Sequence, residues 1–502
     1  MISRTSRPRI RRGAGTAVLL ASALVLSACV QSIGSQSGMQ AYYKQAIDWR
    51  DCGQGFQCGK LTVPLDYDRP GWKQIKLDVI RLPASEPDKR VGSLVVNPGG
   101  PGGSGVQFAR AAKTFLPAKV RARFDVVGFD PRGVGGSAPV QCLSDNELDH
   151  YFSVDASPDS ERERRTLVRE SRQFAQGCAK HSRKLLSYVG TANAARDMDV
   201  LRAALGDDGL TYLGLSYGTL LGAYYAELFP ENVRALVLDG AVDPSLSPRK
   251  MSIAQAKGFE GALRAFVADC VSRSACPLGN GSVEAGLNRL EEFFADLDAH
   301  PLPAGTEGGR QLTQALAKYG VASALYNERY WPYLRNALAR ALAGDGSGLL
   351  QLADALAGRQ PDGSYTNMME ANLAINCVDE PMPEKISAYG SVARRADRKA
   401  PHFGEFIAWG TLPCAFWPVP PDPDVHIDGS GASPILVVGT TGDPATPYAW
   451  SKALASQLSS GVLLTRKGDG HTAYRQGNAC IDKAINHYLI STDPPSPGKV
   501  CG

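Results

Sequence analysis

No internal repeat runs through the 502 residues, and neither the 53 glycines nor the 33 prolines gather into a periodic tract. Solenoids and propellers are thereby excluded, and an ordinary packed chain remains. There is no C-x-x-C pair, and no cysteine lies near a histidine doublet. The chain therefore lacks the ligand spacing of a zinc site, and neither a metal nor another cofactor is expected. No Gly-Lys-Ser/Thr follows the glycine-rich stretch Asn97 to Gly105, whose spacing is not that of a dinucleotide fingerprint either. One apolar run near the start, Ala17 to Ala28, is too short to span a bilayer comfortably. A basic excess is missing too. Arg4, Arg7, Arg9, Arg11 and Arg12 precede Cys29 with no acid among them, so the formal +4 becomes −1 for the rest of the chain. Binding nucleic acid takes clustered Lys and Arg to displace counterions, so no nucleic-acid partner is expected.

What is present begins with a leader. Those five arginines, the apolar run and the small residues after it read as a signal peptide over residues 1–28. Leu26-Ser27-Ala28-Cys29 resembles a bacterial lipobox, in which the cysteine receives diacylglycerol and becomes the new N-terminus. At about 0.8 kcal/mol per buried methylene, two or more acyl chains hold a protein on a membrane. The expectation is an exported chain in the cell envelope, lipid-anchored through Cys29 to the outer face of the plasma membrane; plain secretion is the alternative. With Cys29 assigned to lipid, ten of the 11 cysteines remain: Cys52, Cys58, Cys142, Cys178, Cys270, Cys276, Cys377, Cys414, Cys480 and Cys501. An even number in an exported chain implies five disulfides. Their grouping favours pairing between neighbours, while spacing alone leaves the connectivity open.

Hydrophobic residues make up 43% of the chain and charged residues 21%, enough for a large core and a second domain. Short runs rich in Val, Ile and Leu predict strands at Ile75 to Ile80, Ser93 to Asn97, Asp125 to Phe129, Thr211 to Leu215 and Ala235 to Leu238, alternating with helical stretches. Continuous apolar strands of this kind belong to a mostly parallel sheet covered on both faces. From Ser245 the chain turns Ala- and Leu-rich, and Val283, Leu287, Leu290, Phe294 and Leu297 mark one helix face. Strand signals resume at Pro434 to Val438 and Val462 to Thr465. The expected fold is α/β, with core residues 29–244, a mainly helical lid over 245–425, and a core completed by 426–502, as a monomer.

The strongest chemical signal lies where the fourth of these strands meets a helix, at Gly214-Leu215-Ser216-Tyr217-Gly218. In such a G-x-S-x-G turn the serine hydroxyl stands clear of the sheet at the positive end of the helix, and the flanking glycines avoid a bulky Cβ. A serine hydroxyl needs a base and a group to orient that base, and this architecture supplies them in the order Ser, Asp, His. His471, in K-G-D-G-H-T, is the expected base. The other six histidines do not follow a late strand within a glycine-rich loop. Asp443, in T-G-D-P-A-T-P, is the expected orienting acid, 28 residues before His471. Asp239, which ends the strand A-L-V-L, competes for that role, whereas Asp469 lies too close to His471 to turn back on it. The backbone N–H groups of Gly100 and Tyr217 are the expected oxyanion donors.

N-P-G-G-P-G-G-S-G, F-D-V-V-G-F-D-P-R-G-V-G-G-S, A-A-R-D-M-D-V-L-R-A-A-L-G, G-L-S-Y-G-T, A-I-N-C-V-D-E-P, C-A-F-W-P-V-P and D-P-A-T-P span nearly everything after the leader. Together they resemble the prolyl and tripeptidyl aminopeptidase family of α/β hydrolases, and with the lipobox they are most similar to its mycobacterial cell-envelope branch of carboxylesterases and serine proteases. The resemblance implies an α/β-hydrolase fold, cleavage of peptides near a free N-terminus, and hydrolysis of small esters through the same acyl-enzyme. An acidic side chain should then meet the substrate's amino group, and Asp379 and Glu380 are the candidates. Asp130 and Arg132 read as a structural ion pair beneath the glycine loop. Asn97 stands where many members of the family have His. A carboxylesterase or lipase of envelope lipids is the alternative use of the same triad, and a non-catalytic envelope lipoprotein is the third.

Overall fold

Residues that are apolar at consecutive positions build the centre of the sheet, because both faces of these strands are covered. In this computed structural model, which describes residues 38–305 and 309–502, every residue of Gly92–Asn97 and of Phe124–Phe129 is buried. The signal-peptide reading and Cys29 lie outside the described residues. The strands are β1 (Arg50–Asp51), β2 (Gln57–Pro64), β3 (Gln74–Leu82), β4 (Gly92–Asn97), β5 (Phe124–Phe129), β6 (Leu210–Leu215), β7 (Val233–Asp239), β8 (Leu302–Pro303), β9 (Gln311–Leu312), β10 (Ile435–Gly442), β11 (Gly461–Asp469) and β12 (Lys499–Cys501). Ten of them form one sheet in the order β1-β2-β3-β5-β4-β6-β7-β10-β11-β12, and β8 pairs only with β9.

From β5 through β12 all neighbours run parallel. The β1, β2 and β3 end is antiparallel instead, with β2 and β3 in register from Gln57↔Arg81 to Pro64↔Gln74. Side chains alternate across the sheet. Val95, Val127, Tyr212 and Leu238 pack on one face, beneath Met198, Leu221 and Tyr225 of the helices Thr191–Ala204 and Tyr217–Leu228. Leu94, Val96, Leu213, Val237 and Leu436 pack on the other, beneath Ile481, Ile485 and Tyr488 of the helix Ala479–Ser491.

Between β7 and β10 the regular elements of the described chain are helices, apart from the β8–β9 hairpin and one isolated bridge, Arg359↔Tyr365. Its helix Val283–Ala299 buries Leu287, Leu290, Phe294 and Leu297, as their spacing predicts, while Val283 is half-buried. Among the described residues, no helix is long and apolar enough to cross a membrane. Disulfides join Cys52 to Cys58, Cys142 to Cys178, Cys270 to Cys276, Cys377 to Cys414 and Cys480 to Cys501.

The expected ion pair between Asp130 and Arg132 is not formed. Arg132 is fully buried and grips Asp197 with two hydrogen bonds of 2.7 Å, spending its other donors on the carbonyls of Pro64, Leu65 and Tyr188. A buried guanidinium must satisfy its whole donor fork, and the adjacent loop cannot supply that many acceptors. Asp130 instead accepts from Ser104 Oγ at 2.6 Å and from the amides of Val106 and Gly136, bracing the start of the helix Gly105–Arg110 below the glycine loop.

Candidate active site

The turn after β6 is tight enough to strain its own serine. Ser216 has φ +56° and ψ −124°, and a Cβ on Gly214 would collide with the Gly218 carbonyl, so the turn closes only with glycine there. The Ser216 N–H donates to the Asp239 carbonyl at 2.9 Å, and its carbonyl accepts from Thr219 Oγ1 at 2.6 Å. Both bonds hold the bend while leaving the Ser216 hydroxyl uncommitted among the described residues.

His471 follows β11 and is held from both sides of the site. Its N–H donates to the Tyr326 carbonyl of the helical insertion at 2.7 Å. Its Nδ1 lies 2.9 and 3.0 Å from the two carboxylate oxygens of Asp443 and 3.3 Å from Thr446 Oγ1. A carboxylate only accepts, so Nδ1 carries the proton and Nε2 is the bare imine. Nε2 is buried and has no hydrogen-bond partner among the described residues. Asp443 is itself fixed, accepting from the amides of Ala445, Thr446 and Thr472. Burial lowers the His471 pKa, but the charge and hydrogen bond of Asp443, with the charge of Asp239, outweigh it and leave the pKa above the ordinary histidine value.

Sheet order brings these groups to one edge. β6, β7, β10 and β11 are successive neighbours, and their C-terminal ends carry Ser216, Asp239, Asp443 and His471. Residues 239 and 240 touch both ends of the row: the Asp239 carbonyl holds Ser216, and a Cβ on Gly240 would lie 3.2 Å from His471 Cε1. Ser216 and His471 thus lie at the same C-terminal end of the sheet, without a hydrogen bond between them. Such bonds are often long in a site without substrate and tighten once it binds. A cavity of about 160 Å³ opens beside His471, between Tyr326, Asn327 and Arg329 of the insertion and Arg466, Asp469 and Gly470 of the β11 end.

Asp239 makes no hydrogen bond to the His471 ring and acts on it through its charge and through the backbone that follows it. It is fully buried and accepts from the amides of Ala473, at 2.9 and 3.0 Å, and Tyr474, at 2.8 Å. Burial pushes its carboxyl up to about 6 against those hydrogen bonds. It braces the loop after His471, and Asp443 alone of the two faces Nδ1.

The glycine loop lies directly on the turn. A Cβ on Gly99, where φ is +90°, would sit 2.9 Å from Ser216 Cβ and 3.0 Å from the Tyr217 nitrogen. Asn97 Oδ1 accepts from the Gly99 amide at 2.8 Å, whereas the amides of Gly100 and Tyr217 are uncommitted among the described residues. Tyr217 opens the helix Tyr217–Leu228, where the first amides have no intrahelical acceptor.

Asp379 and Glu380 lie at the end of the helix Met368–Asp379, in a group of acids with Asp422 and Asp424. Burial, with the charge of Asp422, pushes Asp379 up to about 7 against two hydrogen bonds from Thr191; burial with the charges of Asp379 and Asp424 pushes Glu380 up to about 7. The Thr191 amide and hydroxyl donate to Asp379 at 2.7 and 2.5 Å, and Thr191 Oγ1 lies 2.5 Å from the Tyr217 hydroxyl. The sequence reading missed Thr446, Thr191 and Asp422. Only Thr446 carried a signal, its place in D-P-A-T-P.

A serine at a strand-to-helix bend, with a histidine and an aspartate on loops after later parallel strands, is the arrangement of an α/β hydrolase. The family model described as alpha/beta hydrolase fold matches residues 92–477, and the chain belongs to that family. It is 42% identical over 504 residues to the serine protease Hip1 of Mycobacterium tuberculosis, covering 96% of each chain. It is 43% identical over 451 residues to carboxylesterase B of the same organism, covering 88% of this chain and 85% of that one. It is also 34% identical over 463 residues to the tripeptidyl aminopeptidase of Streptomyces coelicolor, covering 89% and 84%. The chain is a serine hydrolase with protease or esterase activity.

Proposed function

We propose that this serine hydrolase removes short peptides from free N-termini and cleaves small esters with the same machinery, as an exported enzyme held at the membrane by lipid on Cys29. Ser216 is the nucleophile. The bare Nε2 of His471 takes its proton as Oγ attacks the carbonyl carbon, and Asp443 holds the imidazolium that results. The amides of Gly100 and Tyr217 receive the negative charge that develops on the carbonyl oxygen. His471 then protonates the leaving amine or alcohol, and water attacking the acyl-enzyme repeats the cycle. Residues 245–425 act as the lid, contributing the Tyr326 carbonyl that fixes His471 and the acids that meet the substrate.

The observation that favours the aminopeptidase reading is the group of acids Asp379, Glu380, Asp422 and Asp424. Asp379 and Glu380 are held near neutral pKa by burial and by neighbouring acids, Asp422 acting on Asp379 and Asp379 with Asp424 on Glu380, so a cation entering among them restores their charge. A Tyr217 side chain and two hydrogen bonds link Asp379 to the residue after the nucleophile. Three extended residues span roughly 10 Å, so the reading requires a tripeptide's ammonium to enter among the acids about that far from the third carbonyl at Ser216.

The test compares tripeptide amides with free and acetylated N-termini on the purified protein. A charge-assisted contact is worth about 1.5–3 kcal/mol, so the free amine should raise kcat/KM by about 10- to 100-fold. KM for the free-amine substrate should fall as pH rises through about 7, where Asp379 and Glu380 ionise. Long-chain esters cleaved with no amide turnover would favour the alternative, a carboxylesterase or lipase acting on cell-envelope lipids.

A further inference from the structure

We infer that Thr191 is a positioning residue, coupling the substrate's ammonium among the acids to the oxyanion donor on Tyr217. The inference rests on the reading that those acids bind the amine. Thr191 is the first residue of the helix Thr191–Ala204, fully buried, and spends both of its donors on Asp379. Its oxygen faces the Tyr217 hydroxyl at 2.5 Å, inside a pocket where Tyr217 is also buried.

Donor arithmetic sets the direction of this chain. A threonine hydroxyl has one proton. With Asp379 ionised that proton goes to the carboxylate, and the Tyr217 hydroxyl donates to Thr191 in turn. With Asp379 neutral its own proton can go to Thr191, and the order reverses. A bound ammonium holds Asp379 ionised and so selects the first order, which ties the Tyr217 ring to the helix start. The same residue's amide stands at the nucleophile bend, 3.0 Å from where a Cβ on Gly99 would lie, so a shift of its ring is transmitted to the donor.

Other charges face the same place. Asp422 acts on Asp379, Asp379 and Asp424 act on Glu380, Arg196 and Arg132 act on Asp422, and Tyr224 lies against all four acids. The start of the helix is crowded with them, since a Cβ on Gly190 would collide with Asp422 Oδ2 and sit 3.1 Å from Asp379 Oδ1. A cap that merely ends the helix would stabilise the fold without distinguishing substrates. A coupling residue acts on the turnover of substrates that carry the amine.

The experiment measures kcat and KM for one tripeptide amide, free and N-acetylated, with the wild type, Thr191→Val and Thr191→Ser. Thr191→Val breaks both links of its hydroxyl, to Asp379 and to Tyr217, and should lower the free-to-acetylated kcat ratio by about tenfold or more. The KM ratio should change less than the kcat ratio, because the acids and the Thr191 amide bond to Asp379 remain, and Thr191→Ser should restore the kcat ratio. Equal loss of kcat on both substrates, or an effect on KM alone, would overturn the coupling while sparing the amine site. A wild type indifferent to acetylation would overturn both. Should Thr191→Val fail to fold, Tyr217→Phe cuts the second of these links and keeps the backbone donor; it should also lower the ratio, and an unchanged ratio refutes the relay.

Discussion

Replacing Ser216 with alanine should lower kcat by roughly a million-fold, the scale on which triad enzymes lose rate with their nucleophile. The protein should stay folded. The Ser216 hydroxyl makes no hydrogen bond among the described residues, and the bend is held by backbone contacts that alanine keeps, the bond from residue 216 to the Asp239 carbonyl and that from Thr219 to the residue 216 carbonyl. Alanine occupies the strained φ of +56° at a cost similar to serine, so stability should change by no more than about 1 kcal/mol. Steady-state turnover and thermal unfolding of the purified variant check both halves. Substantial residual hydrolysis would move the nucleophile elsewhere, and unfolding would mean that the serine braces the bend.

Asp443→Asn should lower kcat by about 10⁴-fold, for a different reason. Asparagine presents an N–H₂ group where the ionised acid presents only acceptors, so Nδ1 can lose its proton and Nε2 gain one, which removes the base. The pH dependence carries a second signature. In the wild type His471 has a raised pKa, so kcat/KM should be full above that pKa and fall as pH drops through it, with a midpoint above the ordinary histidine value of about 6.5. The variant loses the Asp443 charge and keeps the burial that lowers the pKa, with only the Asp239 charge left to oppose it, so its midpoint should move to lower pH. A pH profile of kcat/KM for both proteins reads this directly. An acid limb that stays in place would show that Asp443 does not set the charge state of His471.

What could be read in the sequence follows from where each signal is stored. β4, β5, β6, β7 and β10 are legible because continuous burial demands continuous apolar residues, a property of each segment by itself. β2 was missed, since Q-C-G-K-L-T-V-P alternates polar with apolar residues and becomes a strand through its eight-residue register with β3. β12 is three residues long and exists through pairing with β11. Ser216, Asp443 and His471 could be singled out because each occupies a loop directly after a strand, and the strands could be counted.

Roles that depend on partners far along the chain were not legible. Asp239 looked like a rival acid at the end of its strand, and only the fold brings it to the amides of Ala473 and Tyr474, 234 and 235 residues away. Asp130 and Arg132 looked like a pair because they are neighbours, yet the buried guanidinium needed acceptors that Asp197 and three distant carbonyls supply. Thr191 is one threonine among many until the helix carrying Asp379 docks on it.

The central claim is that the His471 imidazole activates the Ser216 hydroxyl at the shared edge of the sheet. Labelling the purified protein with a fluorophosphonate and mapping the adduct by peptide mass spectrometry, in the wild type and in His471→Ala, tests it most directly. The account predicts one adduct, on Ser216, formed at a rate that falls at least about a thousand-fold without the imidazole. An adduct on another residue, or an undiminished rate in His471→Ala, would contradict it.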